Sequence, residues 1–156
     1  MSFSLPDKRP LIMGIINVTP DSFSGDGLMA QADVITAALQ QAKQMAEDGA
    51  DILDIGGESS RPGAIPISAD EEIQRVVPVI IAIRKVLNTP IAVDTIKASV
   101  AEAALNAGAD IINDISALQG DPQIAGLIAA RKCPIVLMDN RSRAKAVNRD
   151  ATLGSE

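Results

Sequence analysis

An α/β fold with a wholly parallel sheet is what the sequence predicts, and three observations predict it. Short apolar runs recur at 11–16, 51–57, 91–95, 111–116 and 134–138, and each gives way to polar residues at its end. Between them lie stretches with apolar residues at three- and four-residue intervals, the mark of amphipathic helices. Strand and helix therefore alternate with short connections, which calls for parallel strands with helices packed outside them. The third observation is a faint internal echo: GADILDI at 49–55 resembles GADIIND at 108–114, and TPIAVDT resembles CPIVLMD at the alternate strands. Two such (βα)₂ units are the doubling expected of a (β/α) barrel assembled from repeats.

The first apolar run, LIMGII, is uninterrupted, as in a strand buried on both faces, and at Asn17 it switches to the loop NVTPDSFSGDG. A polar loop at the carboxyl end of a buried strand is where α/β proteins place ligand-binding groups. Thr19-Pro20-Asp21 starts a stiff turn, Ser22 and Ser24 add hydroxyls, and Gly25 and Gly27 free the backbone. Phe23 stands out there, one of two phenylalanines in a chain with no Trp or Tyr.

The first helix is predicted over 32–48, with Val34, Ile35, Ala38, Leu39, Ala42 and Met45 on its apolar face and Gly49 as its stop. DILDIGG follows as the second strand, carrying Asp54, and then the loop ESSRPGAIPI. Ser68 with Glu71 three residues later is a capping box, opening a helix that runs toward Leu87. Pro78 within it is expected to kink or divide it, since proline lacks the N–H that would bond the preceding turn. Asn88-Thr89-Pro90 introduces the third strand, 97–107 is the third helix, and Gly108 closes it. After the fourth strand, Asp121-Pro122 is a helix start, with Ile124, Leu127 and Ile128 as the buried stripe, and the fifth strand ends at Asp139.

An eight-stranded barrel takes about 250 residues. These 156 residues, with five strands and four helices, are expected to form a truncated barrel of the (β/α)₈ TIM-barrel type, one domain with an N-terminal arm at 1–10 and a polar tail at 140–156. The tail's Arg141, Arg143, Lys145 and Arg149 read as a frayed end and not as a built basic patch.

Composition narrows the chemistry. A hydrophobic content of 47% and a mean hydropathy of +0.18 fit a compact core. A net charge of −6 argues against nucleic acid as a partner, because phosphate binding needs clustered cations. No histidine is present, which removes Ser-His-Asp and Cys-His couples and histidine-bound zinc. The single Cys133 reads as a packed thiol. The longest apolar block of note, VVPVIIAI at 76–83, is far too short to span a bilayer, so a cytoplasmic protein without a membrane partner is expected.

The candidate site lies at the strand ends. Residues two apart in a strand share a face, so Asn17 goes with Ile15, Asp94 with Ala92 and Asn113 with Ile111. If those faces look into a barrel, one carboxylate and two amides converge, a set suited to a flat heterocycle rich in N–H donors or to a metal-bound phosphate. The competing reading makes each a cap for the adjacent helix. Arg61 could hold a phosphate bidentately or serve a surface ion pair. Asp54 and Glu58 read as a buried structural network, and Asp114, on the face opposite Asn113, as structural.

The stretches NVTPDSFSGDG, DIGGESSRPGA, VDTIKASVAEAAL and GADIINDISAL, in this order, resemble the successive signatures of dihydropteroate synthases and cover most of 11–118. The resemblance implies condensation of 6-hydroxymethyl-7,8-dihydropterin diphosphate with p-aminobenzoate, with loss of pyrophosphate and with Mg²⁺ as cofactor. By motif position Asn17 matches the asparagine that contacts Mg²⁺ and the diphosphate, and Asp94 and Asn113 match pterin-ring ligands. Ser60, where the family often has threonine, and Arg61 match residues that meet the diphosphate and p-aminobenzoate, while Phe23 and Pro62 match apolar contacts to the p-aminobenzoate ring. Asp94 and Asn17 are thereby the expected catalytic pair. Loss of pyrophosphate leaves a methylene cation conjugated with the pterin, so such a site needs charge stabilisation more than a strong nucleophile.

The family's DPGIGF-type segment, its strand-end lysine and its Arg-x-His pair have no counterpart in these residues, and Asp139 stands where the family usually has histidine. An N-terminal piece of the barrel is therefore expected. Two further readings stay open: a corrinoid methyltransferase with a related pterin barrel, and an interaction module pairing through an unclosed sheet edge, with a homodimer as one form. The TPDSF and SSRPG loops favour the synthase.

Overall fold

The computed structural model describes residues 9–19, 31–61 and 63–138. Five strands, β1 (Met13–Asn17), β2 (Ile52–Gly56), β3 (Ile91–Asp94), β4 (Ile111–Asp114) and β5 (Ile135–Leu137), form one sheet in the order β1-β2-β3-β4-β5, with every neighbouring pair parallel. Helices α1 (Gln31–Glu47), α2 (Ala69–Arg84), α3 (Ala98–Ala107) and α4 (Gln123–Arg131) connect them in turn. Each strand thus lies beside its predecessor, the order of a singly wound barrel wall and not of a doubly wound sheet.

The register separates the two faces. Ile16, Ile55, Val93, Ile112 and Ile135 align across all five strands. This row packs with Ala38 and Ala42 of α1, Val76, Val79, Ile80 and Ile83 of α2, and Val100, Ala101 and Ala104 of α3 into one core. All of these helices therefore cover the same face, as right-handed crossovers between consecutive parallel strands require. The opposite face buries a smaller cluster, Ile52, Ala92 and Ile111 with Leu11 and Met13 against it. Toward the sheet's two edges that face is open: Ile15 is 57% and Val136 39% exposed.

The helix ends follow the sequence signals. Ser68 Oγ accepts from the Glu71 N–H at 3.2 Å, as the capping box predicts. Gly108 closes α3 with φ +113°, a left-handed conformation that glycine adopts without a Cβ clash. Pro78 does not divide the helix, for α2 runs unbroken through it. The carbonyl orphaned by the missing proline N–H is that of Gln74, and the Gln31 side chain of α1 donates to it at 3.0 Å. Cys133 packs partly buried against the core, which pushes its thiol pKa up.

The amino ends of the strands are tied by ion pairs. Arg84 pairs with Asp110 and donates to the Gly108 carbonyl at 2.9 Å, and Asp110 in turn accepts from the Ile91 N–H at 3.0 Å. Arg9 pairs with Asp51, which accepts from the Ile12 N–H at 2.9 Å. Among the described residues no helix is long and apolar enough to cross a membrane.

Candidate functional site

At the carboxyl ends of the strands, Asn17 aligns with Gly56, Gly56 with Asp94, and Asp94 with Asn113. The amide, the carboxylate and the second amide predicted to converge thus occupy a single row on the face that the helices leave free. Gly56 separates Asn17 from Asp94 with no side chain of its own. A Cβ there would lie 3.6 Å from Asn17 Oδ1 and 3.7 Å from Asp94 Oδ2, so the two polar groups border one vacant slot.

One pleat below, Ile15, Asp54 and Ala92 align, and Ala92 with Ile111. Asp54 is only 3% exposed; its Oδ2 accepts from Asn113 Nδ2 at 3.0 Å, while Oδ1 is buried with no hydrogen-bond partner among the described residues. The structural network expected at Asp54 is therefore half complete. A buried carboxylate oxygen without a donor is costly unless a ligand supplies one. Sequence reasoning passed over this, although Asp54 lies two residues before Gly56 and so shares its face.

Electrostatics sharpen the point. Burial lifts the Asp94 carboxyl to about 7, and the charges of Asp54, Glu72, Asp114 and Glu58 add to the shift. Burial also raises Asp54, against the hydrogen bond from Asn113. Two carboxylates that resist ionisation side by side favour a ligand that brings N–H donors.

The competing role of Asp94 as a helix cap is filled by another residue. Lys97, at the start of α3, makes no side-chain cap, and the Ala98 N–H instead donates to Asp121 Oδ2 at 2.9 Å. Asp114 is structural as expected: fully buried, it accepts from the Ser116 N–H at 2.7 Å and the Leu118 N–H at 2.8 Å. Those bonds hold a turn in which Ala117 and Leu118 take positive φ.

Ser60 lines a cavity with Asp94, Glu58, Glu72 and Thr95, so the β2–α2 loop and the end of β3 face each other. Arg61 is exposed beside it, outside the cavity wall, in a turn where its carbonyl accepts from the Ala64 N–H at 3.1 Å. Glu58 is ion-paired with Lys97, which also reaches Glu72 Oε2 at 2.5 Å. Lys97 and Glu72 were not singled out from sequence. Phe23, Pro62, Asp139 and the 140–156 tail lie outside the described residues.

The chain is similar to known proteins in both sequence and fold. The profile of the pterin binding enzyme family matches residues 13–154. The dihydropteroate synthase of Bacillus subtilis is 56% identical over 134 residues, covering 86% of this chain and 46% of that protein. The dihydropteroate synthase of Xanthomonas albilineans, solved with 4-aminobenzoic acid, superposes with a TM-score of 0.76 at 45% identity, over 84% of this chain and 47% of that one. The enzyme of Clostridium difficile, solved in the presence of pteroic acid, gives 0.82 at 41% identity over 97% and 54%. The chain thus spans about half the length of the relatives it matches, and its sheet corresponds to part of their barrel.

Proposed function

The chain belongs to the pterin-binding enzyme family, and on that premise we propose that it carries the part of a dihydropteroate synthase site built on the first five strands. The reaction is the condensation of 6-hydroxymethyl-7,8-dihydropterin diphosphate with p-aminobenzoate, in a cytoplasmic enzyme of folate synthesis. The observation that carries the reading is the row of Asn17, Asp94 and Asn113 set above the unpartnered Oδ1 of Asp54.

An aminopyrimidine edge is flat and presents several N–H donors, which matches two neighbouring acceptor carboxylates. Asp94 would accept from that edge, and Asp54 Oδ1 would gain the donor it lacks. Because Asp54 holds the Asn113 amide by its Nδ2, the Asn113 Oδ1 is oriented before any ligand arrives. As pyrophosphate departs, positive charge spreads from the methylene carbon into the pterin ring. A carboxylate already bonded to the ring's N–H groups stabilises that charge at no reorganisation cost. The nucleophile is the arylamine of p-aminobenzoate, which Phe23 and Pro62 would flank.

The diphosphate would extend toward Asn17 and the loop of Ser60 and Arg61, where hydroxyl and guanidinium suit phosphate oxygens. Among the described residues no three His, Cys, Asp or Glu side chains stand together to hold a metal ion. The donor set still fits Mg²⁺, a hard cation that keeps waters and takes most of its oxygens from substrate phosphates, with Asn17 Oδ1 as the protein's own contribution. When bound, the ion supplies charge neutralisation on the leaving group.

Binding of 6-hydroxymethylpterin to the purified chain, followed calorimetrically, tests this reading. Asp94→Ala and Asn113→Ala should each weaken it by about 10- to 100-fold, the usual worth of a hydrogen bond involving a charged group or its partner. The exposed Lys43→Ala should leave it unchanged. Equal affinities in all four proteins would refute the site.

A further inference from the structure

We propose that Lys97 is a positioning residue for this mouth: its ammonium joins Glu58 of the β2–α2 loop to Glu72 of α2, and so holds Ser59 and Ser60 over Asp94, with Arg61 at the rim. Three elements meet at that one cation. Glu72 is 1% exposed and Lys97 Nζ lies 2.5 Å from its Oε2, while the same Nζ pairs with Glu58 Oε2. Lys97 is itself set by the turn that follows Asp94, its backbone N–H donating to Thr95 Oγ1 at 3.2 Å.

The loop leaves β2 under two constraints. At Gly57 the backbone is pressed onto α2, where a Cβ would sit 2.8 Å from Val76 Cγ1 and 3.1 Å from Glu72 Cγ, and the Gly57 carbonyl accepts from Arg75 Nη1 at 2.9 Å. At Glu58 the tie is the Lys97 ammonium. Past it, the hydrogen bonds described for residues 59–61 stay within the loop, from the Arg61 N–H to Ser59 Oγ and from the Ala64 N–H to the Arg61 carbonyl. The Lys97–Glu58 pair is therefore the link that transmits the rigid α2–β3 framework to Ser60 and Arg61. Burial works against the Lys97 charge, yet its hydrogen bonds to Glu58 and Glu72 raise its pKa above the usual value. The Lys97 ammonium consequently stays charged throughout the neutral range.

A purely structural role would confine Lys97 to neutralising the buried Glu72. Glu58→Gln separates the two roles, because it cuts the loop tie and leaves the Lys97–Glu72 pair intact. In amide hydrogen exchange on the purified chain, Glu58→Gln should speed exchange at residues 58–61 by about fivefold or more, and leave β3 and α4 unaltered. Lys97→Met should act on the same amides, the double variant should add little to either, and Lys97→Arg, which can still span both carboxylates, should restore slow exchange. Unchanged exchange at 58–61, or an equal rise along the whole chain, would overturn the proposal.

The ligand side of the inference rests on the pterin reading. Glu58→Gln should weaken binding of 6-hydroxymethylpterin diphosphate while sparing 6-hydroxymethylpterin itself, since on the proposed reading the diphosphate extends toward this loop. Equal loss of both ligands would overturn the positioning role. A wild-type chain that binds neither would sink the pterin reading, and the exchange result would then decide the clamp alone.

Discussion

Asp94 is held in a state that costs the folded chain stability. Its carboxyl is lifted from 3.8 to about 7, first by burial and then by the charge of Asp54. Between those values the folded chain keeps a proton that the unfolded chain releases, so stability falls as pH rises through this window. Asp94→Asn keeps the shape and removes the ionisation. The variant should match the parent near pH 4 and exceed it by on the order of 2–3 kcal/mol near pH 8, read from urea unfolding at each pH. A difference that does not change with pH would contradict the assigned burial. The proposed pterin site gives a reason for tolerating that cost, since donors on a bound ring would relieve it. At this scale the shared row of Asn17, Asp94 and Asn113 was legible from strand period, whereas their expected ligand roles came from the resemblance. The open oxygen of Asp54 was not, because a sequence shows which face a residue takes but not how many donors meet it there.

Asp121 shows how much one side chain can do for two elements. Its Oδ1 accepts from the Gln123 N–H at 2.9 Å, at the start of α4, and its Oδ2 caps the Ala98 N–H at the start of α3. Those two bonds hold its pKa below the usual carboxylate value, the bond to Ala98 contributing most. Ser68 caps a single helix. Asp121→Ala should therefore cost roughly twice what Ser68→Ala does, about 2 kcal/mol against about 1 kcal/mol in chemical denaturation. Equal costs would mean that one of the Asp121 bonds is not made in solution.

Sequence signals located that helix start, the Ser68 capping box and the Gly108 stop, because caps are written within a few residues. The second helix served by Asp121 lies 23 residues away and leaves no local trace. The continuity of α2 through Pro78 left no local trace for the same reason. The donor that relieves its orphaned carbonyl comes from Gln31, 43 residues upstream.

Across the whole molecule the two ends of the sheet do different work. The amino ends of the strands are fastened by Arg84 with Asp110 and Arg9 with Asp51, and the carboxyl ends carry the acidic mouth. A barrel wall divides stability from chemistry in this way, because loops at the carboxyl ends are free to carry ligand groups. Alternation of strand and helix made the sheet order legible, and the period of two placed the candidate residues on the face opposite the helices. Whether the polar groups at three strand ends meet one ligand depends on the curvature of the sheet, which no residue pattern records. The most direct measurement is a titration of the ¹⁵N-labelled chain with pteroic acid, followed by NMR. Shift changes should concentrate at the Gly56 and Asp94 amides and the side-chain amides of Asn17 and Asn113. Perturbations confined to other parts of the chain, or none at saturating ligand, would contradict it.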